Sequence, residues 1–276
     1  GDGSGAFALH FDGSAWKQIS PGQPVDLWWV HAIPGGPVFI GGSAGTILKY
    51  EGGKFQQMST PSNATVFGIW GTSATDLWAV GGQPAAAGAA FVWRYDGTNW
   101  VDAPGLPSIP IASYFKVWGR SATDVRIVGM DGVILHWDGT TFTQPKSPTT
   151  QRLLTLHTDG DGPWVAVGGL ARAVILEDAG DGWKDVTPPE SDRAMIDVRM
   201  QGQTGYAVGN TGTVLARGKA GWVEERHGID VFSDFHSVFI DPKGGVWAAG
   251  GDIVALPLIN GILLHKGAKV PSGSYE

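Results

Sequence analysis

The sequence predicts an all-β protein, a single β-propeller of four-stranded antiparallel blades, from three observations. The first is a hairpin that recurs along the chain, in which an apolar strand runs into an Asp-Gly or Gly turn followed by an aromatic or apolar residue. The aromatic column advances by 39, 45, 42, 41, 39 and 48 residues, a period typical of propellers or solenoids. The hairpins turn at Asp12-Gly13, Glu51-Gly52, Asp96-Gly97, Asp138-Gly139, Gly180, Lys219 and Gly267.

The second observation is that four short strands fit within each period. The first strand carries apolar residues at every second position, which is the period of a strand. The second ends in an apolar residue and a Gly, which indicates a backbone position needing positive φ or close approach. The third and fourth make the hairpin. First strands are predicted at 28–31, 66–70, 115–118, 154–157, 196–199 and 236–239, and the paired glycines are Gly41, Gly81, Gly129, Gly168, Gly209 and Gly250.

The third observation is composition. The 276 residues include 43 Gly, 17 Pro and 13 Trp, with 42% hydrophobic residues, which suits short strands joined by tight turns and not disorder. We expect one domain spanning residues 1–276.

The number of blades follows from counting repeats. There are six copies of the first and second strands and seven of the third and fourth, because residues 5–20 add a hairpin. We therefore predict six blades, with the N-terminal hairpin closing the blade begun by residues 235–250 and residues 252–276 forming an extra strand or tail. The alternative is seven blades, with inner strands of the additional blade upstream of the sequence.

Charge and composition exclude several partners. Nineteen basic and 26 acidic residues give a net charge of −7, which opposes binding to nucleic acid. There is no Cys and no apolar run of the roughly 18 residues that a membrane span needs, and no cofactor is expected. Low Lys content with abundant Gly, Thr and Trp favours an exported protein, located in the periplasm, on the cell surface or secreted.

Residues 66–82 (VFGIWGTSATDLWAVGG) with 95–100 (YDGTNW) resemble the repeats of Gly- and Trp-rich bacterial propellers common among myxobacterial exported proteins. More distantly, they are similar to the BNR or Asp-box repeats of sialidases and of the photosystem II assembly factor family. The turn here is one residue shorter than the Asp-box turn. The resemblance covers nearly the whole chain and implies the fold more than an activity.

The recurring residues are interpreted first as structural. Asp12, Asp96 and Asp138 are predicted to cap backbone N–H groups in their turns. The aromatic residues that follow the turns are predicted to form core between blades; they are Trp16, Phe55, Trp100, Phe142, Trp183 and Trp222.

A ligand site is most plausible on the face formed by loops that join second to third strands and fourth strands to the next blade. Arg152, Arg172 and Arg193 fall in such loops of adjoining repeats, and arginine forks suit carboxylates. Tyr114 and His227 are further candidates on this face. A sialidase-like hydrolase needs a nucleophile as well as an arginine clamp, and no persuasive Tyr-Glu pair accompanies these arginines. Solvated loop charges are the simpler interpretation.

A second set of candidates ends the innermost strands, where side chains would line or plug the central channel. Two histidines of this set would face across the channel, and a shared metal would need a narrow bore; packed plugs are favoured and no metal site is predicted. Residues 159–162 (DGDG) resemble the opening of a calcium-binding loop, but the later oxygen ligands and the bidentate Glu of an EF-hand are absent from the sequence that follows. The channel set is His31, Trp70, Trp118, His157, Arg199 and Phe239.

The sequence therefore predicts a non-catalytic propeller that binds a protein or a glycan through its loop face. No catalytic residue is assigned, since no Walker loop, HExxH or GxSxG motif is present. Two alternatives stay open: a sialidase-like glycoside hydrolase, and an accessory or assembly subunit of a membrane complex.

Overall fold

A computed structural model describes residues 6–11, 15–229, 231–252 and 261–267. It confirms a six-bladed β-propeller of antiparallel sheets. Within the described ranges the helical structure consists of two short 3-10 turns, Met130–Gly132 and Asn210–Gly212. None of these residues belongs to a helix with the length and apolarity of a membrane span.

The strands of each blade follow chain order from the axis outwards, and the predicted first strands are confirmed as the innermost ones. Blades 1 to 5 are four-stranded, and three strands of blade 6 are described. Blade 1 comprises β3 (Leu27–Ala32), β4 (Val38–Gly42), β5 (Ile47–Glu51) and β6 (Lys54–Met58); blade 2, β7 (Thr65–Ser73), β8 (Asp76–Gly82), β9 (Phe91–Tyr95) and β10 (Trp100–Asp102); blade 3, β11 (Tyr114–Ser121), β12 (Asp124–Gly129), β13 (Ile134–Trp137) and β14 (Phe142–Thr143); blade 4, β15 (Leu153–His157), β16 (Trp164–Gly168), β17 (Val174–Asp178) and β18 (Lys184–Asp185); blade 5, β19 (Met195–Gln201), β20 (Thr204–Gly209), β21 (Val214–Gly218) and β22 (Gly221–Glu224); blade 6, β23 (Phe235–Ile240), β24 (Val246–Gly251) and β25 (Gly261–Lys266).

The core lies between the blades. Alternate side chains of each sheet face the preceding and the following blade, and five apolar clusters join consecutive blades from 1–2 to 5–6. In the first interface, for example, Phe39 and Ile47 of blade 1 pack against Val66 and Ile69 of blade 2. The predicted core positions of Trp100, Trp183 and Trp222 are confirmed, since all three are buried.

The glycine that ends each second strand is explained by close approach. A Cβ on Gly81 would lie 1.9 Å from the carbonyl oxygen of Thr65, and one on Gly209 would lie 2.2 Å from that of Ala194. Neither glycine has a positive φ. The backbone of the innermost strand therefore excludes any side chain at these positions.

The N-terminal hairpin does not close blade 6 as predicted. β1 (Ala8–Phe11) and β2 (Trp16–Ile19) form a two-stranded sheet of their own. The place beside β24 is taken by β25, which pairs with it from Val246↔Lys266 to Gly251↔Gly261 and contributes Ile262 and Leu264 to the core against blade 5. The C-terminal segment thus supplies the third strand of blade 6.

The acidic turns act as predicted at two of the three positions. Asp96 accepts hydrogen bonds from the backbone N–H groups of Thr98 and Asn99, each at 2.8 Å. Asp138 accepts in the same way from Thr140 and Thr141. These bonds hold the pKa of both carboxyl groups below the usual value. Asp12 lies outside the described residues.

Candidate binding surface on the loop face

A row of five apolar side chains and one histidine on the loop face comes from one irregularity repeated in every blade. Each innermost strand has a register shift near its first residue, so that one residue is inserted between two paired ones. Such bulges re-aim side chains and are frequent near functional sites. The inserted residues form a set that we call the bulge row: Trp28, Phe67, Phe115, Leu154, Ile196 and His236.

The aromatic part of the bulge row is continuous. The ring centroids of Trp28 and Phe67 are 5.6 Å apart, and those of Phe67 and Phe115 are 5.5 Å apart, both in edge-to-face contact. Trp28 is 47% exposed, and its Nε1 donates to Ser43 Oγ at 3.1 Å. Phe67 and Phe115 are half-buried. Three blades thus present adjoining aromatic edges at the inner rim of the loop face.

A cleft of about 460 Å³ opens on the same face beside blade 5. It is formed by the loop leading into β19, the 3-10 turn after β20 and the loop after β22. Ile229 and Phe232 on its rim are 54% and 83% exposed. Glu190, Asp192 and Glu224 also line it, so its polar wall is mainly acidic.

The turn after β20 is held rigidly inside this cleft. Thr211 has φ 51°, an unfavourable conformation for a β-branched residue, and its N–H donates to Asp234 Oδ1 at 2.8 Å. Its hydroxyl oxygen accepts a hydrogen bond from Arg193 Nη1. Ala44 and Asp131 have the same positive φ at the same place in blades 1 and 3. This strained turn therefore belongs to the blade design, and the contacts to Arg193 and Asp234 are what distinguish blade 5.

The structure places two of the five predicted ligand residues in this cleft. Arg193 lies beside Asp192, with Nε 3.5 Å from Oδ1. His227 is 3.0 Å from the carbonyl oxygen of Gly212 through Nε2, while its Nδ1 accepts from the N–H of Ile229 at 3.4 Å. Both side chains therefore hold loops together as well as lining the cleft.

The other three are engaged elsewhere. Arg152 Nε donates to the carbonyl of Gly169 at 2.9 Å, and Arg172 Nη2 donates to that of Pro189 at 2.8 Å. The three predicted arginines thus have different partners and no common one among the described residues. Tyr114 is 1% exposed, and burial raises its pKa to about 12. Tyr114 belongs to the core between blades 2 and 3.

Five of the six predicted channel residues pack around one indole, and the sixth, Phe239, is 50% exposed with its ring 6.0 Å from the guanidinium carbon of Arg199. The Trp118 ring lies 4.4 Å from that of His157, 6.4 Å from those of His31 and Trp70, and 5.0 Å from the guanidinium carbon of Arg199. Burial lowers the pKa of both histidines, His157 most strongly, and the charge of Arg199 adds to the effect. Their neutral rings suit the crowded site. The described residues include no group of three or more His, Cys, Asp or Glu side chains placed to hold a metal.

A buried charged layer, which was not singled out from the sequence, lies two residues before this set on the same strands. Lys116 Nζ is 3.0 Å from the ring centroid of Trp29 and 4.0 Å from Asp197 Oδ1. Asp197 accepts three hydrogen bonds. The donors are the Thr155 hydroxyl at 3.2 Å, the Ser237 hydroxyl at 3.2 Å and the backbone N–H of Val238 at 3.0 Å.

The layer ties five blades together at the axis. Complete burial lowers the pKa of Lys116 to about 7, although Asp197 opposes the shift. Gly68 holds the equivalent place in blade 2, where a Cβ would lie 3.2 Å from the Cα of Lys116. The signal that could have revealed this layer is the i, i+2 relation to the predicted channel set, since alternate residues of a strand share a face.

Comparison with known proteins shows the fold alone. No protein-family model and no curated protein sequence matches the chain. Among solved structures, YCF48 bound to a D1 peptide is similar with a TM-score of 0.67 and 16% identity over 87% of this chain and 80% of that one. YCF48 from Cyanidioschyzon merolae gives 0.65 and 16% over 86% and 83%. A catalytically inactive virginiamycin B lyase from Staphylococcus aureus with quinupristin gives 0.67 and 12% over 94% and 88%.

Proposed function

We propose that this protein is a binding scaffold that holds an extended segment of a protein partner on its loop face. The observation that carries the proposal is the aromatic part of the bulge row, Trp28, Phe67 and Phe115. Aromatic side chains in edge-to-face contact give a large apolar area at low cost in conformational entropy. A similar propeller, YCF48, is described as bound to a D1 peptide, which supports a polypeptide ligand.

The chemistry of the face favours a segment with apolar and basic side chains. The cleft beside blade 5 contributes Glu190, Asp192 and Glu224, and the whole chain has a net charge of −7. Complementary charge accelerates encounter and excludes acidic partners more than it raises affinity. The aromatic rings would then supply the binding energy and the carboxylates the selectivity.

The test begins by selecting, from a random dodecapeptide library, the peptides that bind the immobilised protein. The affinity of the selected peptides is then measured for the wild type and for variants. We expect selected peptides to combine aromatic or aliphatic residues with Lys or Arg. The double variant Phe67→Ala/Phe115→Ala should weaken their binding at least about tenfold, the scale of one or two interface anchors. The matched control is Val101→Ala, because Val101 is 45% exposed on the outermost strand of blade 2.

Equal loss in both variants, or no effect of the double variant, would contradict the proposal. A glycan array run in parallel tests the other expected ligand class. A specific acidic-glycan signal that disappears in Arg172→Ala would replace the protein ligand by a sugar.

A further inference from the structure

The mouth of the central channel opposite the loop face is built around one arginine. The bulge row lies where the innermost strands begin, so the channel set, three residues further along each strand, lies towards their other ends. Arg199 extends from β19 of blade 5. Its guanidinium carbon lies 5.0 Å from the Trp118 ring of blade 3 and 6.0 Å from the Phe239 ring of blade 6. The guanidinium therefore stands at this mouth between two aromatic rings.

Arg199 has donors but no acceptor. Its Nε is buried without a hydrogen-bond partner, and among the described residues no acceptor reaches its Nη atoms either. Other arginines that are held between blades differ: Arg126 bonds Asp178 at 2.6 Å and Arg217 bonds Glu177 at 2.7 Å. Burial lowers the pKa of Arg199, and Asp197 opposes the shift. The guanidinium is thus partly desolvated without a bound carboxylate.

The charges of the two channel layers do not balance. In the described part of the channel, the cationic side chains are Lys116 and Arg199, and the carboxylate is that of Asp197. The Asp197 carboxylate lies 4.0 Å from Lys116 and already accepts three hydrogen bonds from blades 4 and 6. Arg199 is therefore left without a counter-ion of its own. One additional negative charge at the mouth would be attracted to it.

A second donor at this mouth follows from the tautomer of His157. The backbone N–H of Met200 donates to His157 Nδ1 at 3.1 Å, so the proton of the neutral ring is on Nε2. The side chain is 6% exposed, and within the described ranges no acceptor pairs with Nε2. The other histidine of the set, His31, is engaged, since its Nε2 lies 3.2 Å from the N atom and 3.3 Å from the carbonyl oxygen of Gly71.

We propose that this channel mouth binds a monovalent carboxylate that carries an apolar group. The guanidinium of Arg199 would donate two parallel hydrogen bonds to the carboxylate, a geometry that arginine matches well. The Nε2–H of His157 would supply a third bond, and Phe239, which is 50% exposed, would contact the apolar group. Asp197 in the next layer disfavours a second negative charge on the ligand, because like charges repel.

The probe is sodium benzoate, titrated into the full chain by isothermal calorimetry at neutral pH and at an ionic strength held constant with sodium chloride. We expect saturable binding at one site. Benzamide, which has the same shape without the charge, should not bind, and inorganic phosphate should bind more weakly than benzoate. N-acetylphenylalanine distinguishes the two sources of a carboxylate: tighter binding than benzoate indicates a polypeptide C-terminus, and weaker binding indicates a small molecule.

Two variants test the location. Arg199→Met should weaken benzoate binding at least about tenfold, because a charge-assisted pair is lost. The variant should fold, since it removes a buried cation that has no partner of its own. Phe239→Ala should also weaken binding, and its exposed position leaves the thermal midpoint unchanged. Arg226→Met is the matched control, because Arg226 is exposed on the loop face, and its affinity for benzoate should equal that of the wild type.

Three results would overturn the proposal: no binding of benzoate to the wild type, equal binding of benzamide, or equal affinities in Arg199→Met, Phe239→Ala and Arg226→Met. Selection of peptides by the loop face depends on the bulge row at the other end of the channel. The two proposals are therefore tested by different variants and can fail independently.

Discussion

At the scale of single residues, Asp197 is the side chain on which the buried layer depends. It faces Lys116 and receives three hydrogen bonds from blades 4 and 6. Arg199 also stands near it, and Nε of that side chain is buried without a partner among the described residues. Removal of the one carboxylate leaves buried cationic groups uncompensated, which is more costly than losing a surface ion pair.

We expect Asp197→Ala to lower the free energy of unfolding by about 3 kcal/mol, measured by urea denaturation. The control Asp181→Ala removes an exposed pair with Lys184 and should cost at most about 1 kcal/mol. Adding Lys116→Met to Asp197→Ala should recover part of the loss. Equal costs for the two single variants would mean that the buried charge is not what matters.

At the scale of the element, the second-strand glycine sets how closely the first and second strands approach. Gly209→Ala should destabilise the protein by about 2 kcal/mol, the usual scale of overpacking, because its Cβ would meet the carbonyl of Ala194 at 2.2 Å. Gly218→Ala is the control in the same blade: a Cβ there has nothing within 4 Å and its φ is not positive. Similar thermal midpoints for the two variants would refute the steric explanation.

The sequence predicted most of the secondary-structure elements, but it did not predict the bulge row or the pairing of the N-terminal hairpin. The strands, the turns and the glycine that ends each second strand follow from local sequence patterns, so each was predictable. The bulge row was not, because the inserted residue breaks the two-residue period; the pairs Val66-Phe67 and Tyr114-Phe115 are its trace in the sequence. The hairpin was assigned to the wrong sheet because pairing partners are set by tertiary packing, which local patterns do not contain.

At the scale of the whole molecule, the buried histidines and lysine make stability rise with pH. His31 and His157 have lowered pKa values in the folded protein, so below about pH 6.5, the ordinary value for histidine, the unfolded state binds more protons. The pKa of Lys116 near 7 acts in the same direction between about pH 7 and 10.4, the ordinary value for lysine. Each difference stabilises the folded state as pH increases.

The free energy of unfolding should therefore fall between pH 7 and 5 by up to about 1.4 kcal/mol per pH unit for each histidine. Urea denaturation at a series of pH values measures it, and His157→Asn should reduce the slope because one of the two groups is removed. A flat profile in the wild type, or an unchanged slope in the variant, would show that these rings are protonated in the folded protein.

Among the residues that the structure describes, five apolar clusters join consecutive blades from 1–2 to 5–6, which is the contact pattern of a linear array. In such an array each unit is stabilised by its neighbours alone, and the two terminal units have one neighbour each. Blades 1 and 6 are then the places where opening of the structure should begin. An apolar contact between blades 1 and 6 would turn the array into a cycle, in which no blade is terminal and opening anywhere must break two interfaces at once.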